Sequence, residues 1–247
     1  TELAQRFQDY ALALFDHIKQ VLSQKHTGQV LFQVLINPEI ADLPVSLYAG
    51  LSGLLKTARQ ENPQFIAQLI LLDTPIAQSA IATCLQENAQ SPNDVVIRYQ
   101  AQQRQTAAWQ ALALNNAVQI PWREHGVYFI TGGAGGLGFL FAQEIAQQCQ
   151  QVTLILTGRS SINAEIQHKL SALTALNKTK AIYHALDVSN QTAVFDLMQH
   201  ITKEYGGLNA ILHCAGVTRD GFILKKTLTD WQQVFAPKVT GLVNFCL

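Results

Sequence analysis

The sequence predicts an α/β protein made of two successive parallel-sheet subdomains. Short apolar runs rich in β-branched residues alternate with stretches of helical period along most of the 247 residues. A glycine-rich run, "TGGAGGLG" (131–138), stands between an apolar run and an amphipathic one, but only past the middle of the chain. Between the halves, at 117–126, the periodicity lapses and Pro121 and Gly126 punctuate the chain. The expected subdomains are residues 1–122 and 123–247, both Rossmann-like, of which only the second carries a phosphate-type turn.

In the first half, Leu3, Phe7, Tyr10, Leu14, Ile18 and Leu22 keep a helical period that ends near Gly28. "QVLFQVLI" (29–36) reads as a strand, "SLYAGLSGLLKTARQE" (46–61) as a helix stopped by Asn62-Pro63, and "FIAQLILLD" (65–73) as a buried strand. A helix over 76–86 and a strand over 94–100 follow. The loop after the first strand, "NPEIADLP", has no glycine cluster that would let backbone N–H groups approach a phosphate. This half is therefore expected to be structural. Its glutamines scatter on polar faces and are expected to be solvated.

In the second half, "GVYFI" (126–130) is an apolar strand and "FLFAQEIAQQC" an amphipathic helix, so Thr131, Gly132, Gly133, Ala134, Gly135, Gly136, Leu137 and Gly138 form a strand-to-helix turn. Gly133 and Gly135 are expected to turn the chain tightly and bring N–H groups to a pyrophosphate. Gly138 lets the helix pack close, and the helix N-terminus adds partial positive charge. The strand "VTLILT" (152–157) ends in Gly158-Arg159-Ser160. An NAD site places an acid about 20 residues past the glycines to hold the ribose 2′-hydroxyl. No acid stands at this strand end. Arg159 suits a 2′-phosphate, with Ser160 as a second donor, so NADPH is the expected cofactor. An arginine that only salts the surface is the plainer alternative.

A strand over 181–188 ends at Asp187-Val188, where a carboxylate could accept an adenine amino group. Taken alone, Asp187 is more often a helix N-cap, a job for which Ser189 competes. A strand over 208–216 ends in Ala215-Gly216, small enough for a cofactor ribose to lie against the backbone. His184 and His213, in or at the ends of apolar strands, read as packed.

Composition narrows the partners. Lys plus Arg and Asp plus Glu both number 17, so no net positive charge favours nucleic acid or an anionic membrane. Cys84, Cys149, Cys214 and Cys246 form no CxxC pair and have no histidine at metal-ligand spacing, so no metal is expected. No apolar run approaches a membrane span and the start lacks signal-peptide order, so a cytoplasmic protein, or a piece of one, is expected.

With the Thr131–Gly138 turn, a "LDVS" strand end and "HCAG", the second half resembles a short-chain dehydrogenase/reductase. The likeness narrows further. "GLSGLLKTARQENP", "TGGAGGLG", "LTGRS", "LHCAGVTRDGFILKKT" and "FAPKVTG", in this order, resemble the ketoreductase domain of modular polyketide synthases, in the branch whose modules lack their own acyltransferase. That resemblance covers essentially the whole chain. It implies a degenerate structural subdomain ahead of a catalytic one, which accounts for the late glycine turn.

The resemblance also implies the chemistry. A β-ketoacyl chain, carried as a phosphopantetheinyl thioester on an acyl carrier protein, receives hydride from NADPH, with neighbouring synthase domains as further partners. A tyrosine donates the proton, a serine binds the carbonyl, and a lysine holds the cofactor ribose, because developing alkoxide charge needs positioned donors. The lysine of the "PKV" motif is Lys238 here. Asp220 matches the aspartate that marks B-type alcohol products, although only the last residue of the family's Leu-Asp-Asp stands in Thr218-Arg219-Asp220. A turn aspartate before Gly221 is its plainer role. The resemblance places the serine and tyrosine beyond Leu247, so a segment of a longer polypeptide is expected, unable to reduce a ketone by itself. Two other functions share these residues: a non-catalytic scaffold of a megasynthase, and another NAD(P)-dependent short-chain dehydrogenase.

Overall fold

The computed structural model describes residues 2–113 and 121–246, so positions 117–120 of the expected boundary lie outside the described residues. The contacts divide the chain into two units. The first holds Glu2–Leu114 together with Asp220–Lys226; the second holds Asn115–Arg219 and Thr227–Leu247.

In the first unit, α1 (Glu2–Ser23) buries Ala4, Ala11, Leu14, Phe15 and Ile18; of the apolar face that the sequence predicts, Leu14 and Ile18 are buried, whereas Leu3 and Tyr10 are exposed. The strands β1 (Val30–Ile36), β2 (Phe65–Leu72), β3 (Val96–Gln100) and β4 (Gln103–Thr106) form a sheet in that order. β1, β2 and β3 are parallel, linked by α2 (Val45–Tyr48), a 3₁₀ turn over Ala49–Leu51, α3 (Ser52–Glu61) and α4 (Gln78–Ala89). All eight residues of β2 are buried, as a central strand covered on both faces requires.

Two expectations fail here. Strand β4 pairs antiparallel to β3 and was not legible, because its turn, Ala101-Gln102, has positive φ at both residues (48° and 63°) without the Asn or Gly that signals such a hairpin. And one glutamine is not solvated. Gln68 is wholly buried on β2, its Oε1 accepting from Gln33 Nε2 at 2.8 Å and its Nε2 donating to the carbonyls of Asn88 and Ser91. Full pairing offsets the cost of burying an amide.

After β1, where a phosphate turn would stand, the loop is closed on itself. The buried Asn37 donates from Nδ2 to the Ile76 carbonyl at 2.8 Å, and its own carbonyl takes the N–H groups of Ile40 and Ala41. The late segment Asp220–Lys226 packs with this unit. Its 3₁₀ turn, Ile223–Lys225, buries Ile223, whose N–H donates to the Glu61 carboxylate at 2.8 Å, while Lys19 Nζ donates to the Lys226 carbonyl at 2.9 Å.

The second unit is an all-parallel sheet in the order β7 (Lys180–Ala185), β6 (Thr153–Gly158), β5 (Val127–Thr131), β8 (Ala210–His213). Side chains alternate along β5. Tyr128 and Ile130 pack with α5 (Gly136–Gln148) and α6 (Ala164–Thr174); Phe129 faces the other layer, with Val194 and Ile201 of α7 (Gln191–Tyr205). Each buried side chain of this size contributes about 1.5–3 kcal/mol. Helix α8 (Leu228–Phe235) opens on a capping box between Thr227 and Asp230, then passes through a π turn over Ala236–Thr240 into α9 (Gly241–Asn244). The strands expected at 181–188 and 208–216 end early, at Ala185 and His213, and their last residues continue as loop.

Candidate active site

The strand order places the ends of β5, β6 and β8 side by side, and the sequence-predicted residues gather there. Gly132 sits in the left-handed region at φ 61°, and a Cβ on it would lie 2.8 Å from the Cys214 carbonyl oxygen. The tight turn expected at Gly133 and Gly135 is present, closed by the Gly135 N–H on the Gly132 carbonyl, and Gly132 adds its positive φ. Neither Gly133 nor Gly135 offers its N–H group outward: Gly133 donates to the Thr157 carbonyl at 3.0 Å and Gly135 to the Gly132 carbonyl at 2.9 Å. Gly135 is instead the N-cap of α5 and brings no side chain to it. The donors left for an anion are the first-turn N–H groups of α5, at Gly136, Leu137 and Gly138, which lack intrahelical acceptors. At Gly138 a Cβ would stand 2.4 Å from the Gly132 carbonyl oxygen, so only glycine allows this helix start to close on the turn. Lys169 of α6, missed from sequence, donates to the Ala134 carbonyl at 2.7 Å and holds the turn from outside.

A cavity of about 360 Å³ lies at these strand ends, bordered by Gly132, Arg159, Asp187, Val188, Ala215 and Gly216. Arg159 and Ser160 are exposed. Arg159 forms no ion pair with a described residue, while the Ser160 carbonyl is held by the Tyr183 hydroxyl at 2.8 Å. Neither Asp187 nor Ser189 caps α7; Asn190 does, accepting the Ala193 N–H. One Asp187 oxygen accepts both the N–H and the hydroxyl of Ser189, at 2.9 and 2.6 Å. Val188 is buried against Gly241, and the Asn244 amide donates to its carbonyl at 2.9 Å.

Sequence reasoning also missed Thr157, on the cavity wall, whose buried hydroxyl has no hydrogen-bond partner among the described residues. An orphaned hydroxyl, a turn closed to any Cβ, first-turn N–H donors and a guanidinium without a carboxylate make a donor set that fits a phosphate-bearing dinucleotide.

Lys238 is exposed in the π turn, and its Cε lies 3.4 Å from where a Cβ of Gly216 would stand. Thr131, fully buried, accepts the Ala215 N–H at 3.0 Å through its hydroxyl, which also meets His213 Nδ1 at 2.9 Å. Burial pushes the neighbouring Cys214 thiol above its ordinary pKa, so it is no ready nucleophile. Asp220 is exposed at the start of the segment that packs with the first unit, not among the cavity residues.

Residues 126–246 match the model of the KR domain family. The chain is 41% identical over 241 residues to polyketide synthase PksL of Bacillus subtilis (strain 168), covering 97% of this chain and 5% of that protein. It is 40% identical to polyketide synthase PksN of the same organism, covering 98% and 4%. The chain thus spans about one twentieth of these relatives' length. Among solved structures, a ketoreductase domain from the bacillaene assembly line matches with a TM-score of 0.90 and 36% identity, covering 99% of this chain and 57% of that one. An N-terminal ketoreductase from the macrolactin assembly line matches with a TM-score of 0.75 and 34% identity, covering 94% and 46%.

Proposed function

Through residues 126–246 the chain belongs to the KR domains, the ketoreductase domains of polyketide synthases, and from this premise we propose that it takes part in the NADPH-dependent reduction of a β-ketoacyl group carried on an acyl carrier protein. The observation that carries the proposal is the position of Lys238, packed against Gly216 beside a cavity rimmed by Arg159 and Asp187.

Each residue then has a task set by its chemistry. The N–H groups of Gly136, Leu137 and Gly138 hold the pyrophosphate, at the positive end of α5. Arg159, exposed and without a carboxylate among the described residues, pairs with the 2′-phosphate, and Ser160 adds a hydroxyl donor. The second oxygen of Asp187 takes the adenine amino group, while Val188 packs beneath it. Ala215 and Gly216 leave room for the ribose. The bound dinucleotide supplies the hydride for the β-carbon of the acyl chain. Lys238 holds the ribose and adds positive charge where alkoxide develops, which favours proton transfer to that oxygen. Asp220 marks the product as the B-type alcohol. The acyl carrier protein presents the chain, and neighbouring synthase domains supply and consume it.

The test is Lys238→Ala in the full-length polypeptide carrying this sequence. With Lys238 in this role, ketone-dependent NADPH oxidation falls by about 10²-fold or more. Unchanged turnover overturns the assignment.

A further inference from the structure

The residue before Lys238 is Pro237, and its surroundings give His213 a task. Proline has no N–H, and its ring crowds the carbonyl four residues back. An α-helix running on from Phe235 would leave the Gln233 carbonyl without its donor. The chain instead widens into the π turn, in which the Gly241 N–H reaches back to the Ala236 carbonyl. Such turns are rare and lie at functional sites more often than elsewhere. This one holds Lys238.

The Pro237 carbonyl is claimed from another element. His213, at the end of β8, places Nε2 at 2.9 Å from that oxygen and Nδ1 at 2.9 Å from the Thr131 hydroxyl. A carbonyl only accepts, so Nε2 carries the proton. In the neutral ring Nδ1 then accepts, so the Thr131 hydroxyl, whose oxygen takes the Ala215 N–H, donates to it. One directed chain results: Ala215 N–H to Thr131, Thr131 O–H to His213, His213 Nε2–H to Pro237. It joins the residue before the glycine turn, the residue before Gly216 and the residue before Lys238. Phe245 stacks edge-on against the imidazole, at 5.7 Å between ring centres, and fixes its plane.

We propose that His213 is a positioning residue for Lys238, holding the π turn at a set distance from the glycine turn and from Gly216. The proposal rests on the function assigned to Lys238 above. With His213 absent, the Pro237 carbonyl loses the donor that ties it to β8, the π turn loosens, and the lysine no longer stays over Gly216.

The experiment is a set of His213 variants with two readouts. His213→Phe keeps the ring and loses both polar atoms, whereas His213→Gln returns an N–H donor near the place of Nε2. Turnover falls about tenfold in the phenylalanine variant and recovers most of that loss in the glutamine variant. In a Lys238→Ala background the phenylalanine change costs little more, because the lysine it positioned is gone. Hydrogen exchange at the Gly241 amide, which needs no activity, speeds up in His213→Phe and slows again in His213→Gln. Additive losses with Lys238→Ala, or unchanged Gly241 exchange, overturn the positioning role and leave the assignment of Lys238 intact. A Lys238→Ala protein of full activity overturns both. If His213→Phe does not fold, His213→Asn replaces it, since its amide reaches only the place of Nδ1. An asparagine variant as active as the glutamine one overturns the proposal.

Discussion

The Glu61 carboxylate accepts the Ile223 N–H at 2.8 Å although 162 residues separate them in sequence. Through this bond and the buried Ile223 side chain, a segment from late in the chain packs with the first unit, and Asp220 opens that segment.

Glu61→Ala is therefore expected to free the segment. A hydrogen bond to a charged group contributes about 1.5–3 kcal/mol, and this partly exposed one belongs at the lower end. Amide exchange at Ile223 rises by about tenfold or more for a loss of that size. Unchanged exchange would show that burial of Ile223 and the Lys19–Lys226 contact hold the segment without Glu61.

The glycine turn makes a paired prediction. Gly138→Ala forces a methyl group to 2.4 Å from the Gly132 carbonyl oxygen and costs about 1–3 kcal/mol of stability, with dinucleotide binding lost. At Gly136 nothing lies within 4 Å of the added carbon, so Gly136→Ala stays within about 0.5 kcal/mol of the parent. Thermal melts of the two variants decide, and equal melting temperatures would sink the steric account.

Arg159→Ala, in the full-length polypeptide, is expected to lower the preference for NADPH over NADH by about tenfold or more, the loss of one charge-assisted phosphate pair. The comparison is of kcat/KM for the two dinucleotides. An unchanged ratio refutes the 2′-phosphate role.

His184 gives a pH dependence. Burial, aided by the ring of His200 nearby, holds its pKa below the ordinary 6.5, with Glu204 pulling the other way. The unfolded chain therefore takes up this proton first as pH falls. The stability tied to neutral His184 is complete above about 6.5 and is lost as pH drops through the folded value. Urea unfolding of the protein is expected to need less denaturant on that acidic side, and His184→Gln to flatten the trend. An identical pH slope in the variant would exclude His184 as its source.

Much of the fold was legible because burial writes itself into local pattern. The apolar run of β2, broken only by Gln68, the apolar strand at 126–130, and the glycine run between strand and helix are each consequences of one element meeting its neighbours. Strand β4 was not legible, since its four residues are all exposed and its turn lacks the usual glycine or asparagine. Gln68 was misread because a buried amide differs from a solvated one only in partners that come from distant residues. In the candidate site, Arg159 could be named from its place at a strand end and Lys238 from the family resemblance of its motif. Thr157 and Lys169 could not, because nothing local separates an orphaned threonine or a loop-holding lysine from ordinary ones.

By itself the sequence determined the two-part α/β plan, the position of the glycine turn and the residue types gathered around it, because periodicity and glycine placement are local demands of the backbone. The tertiary structure alone decided that Gly133 and Gly135 spend their N–H groups on the Thr157 and Gly132 carbonyls. It also decided that His213 reaches Pro237 and that Ile223 reaches Glu61. Hydrogen bonds between residues far apart in sequence depend on where the packed sheets and helices bring those groups, and no stretch of sequence carries that distance.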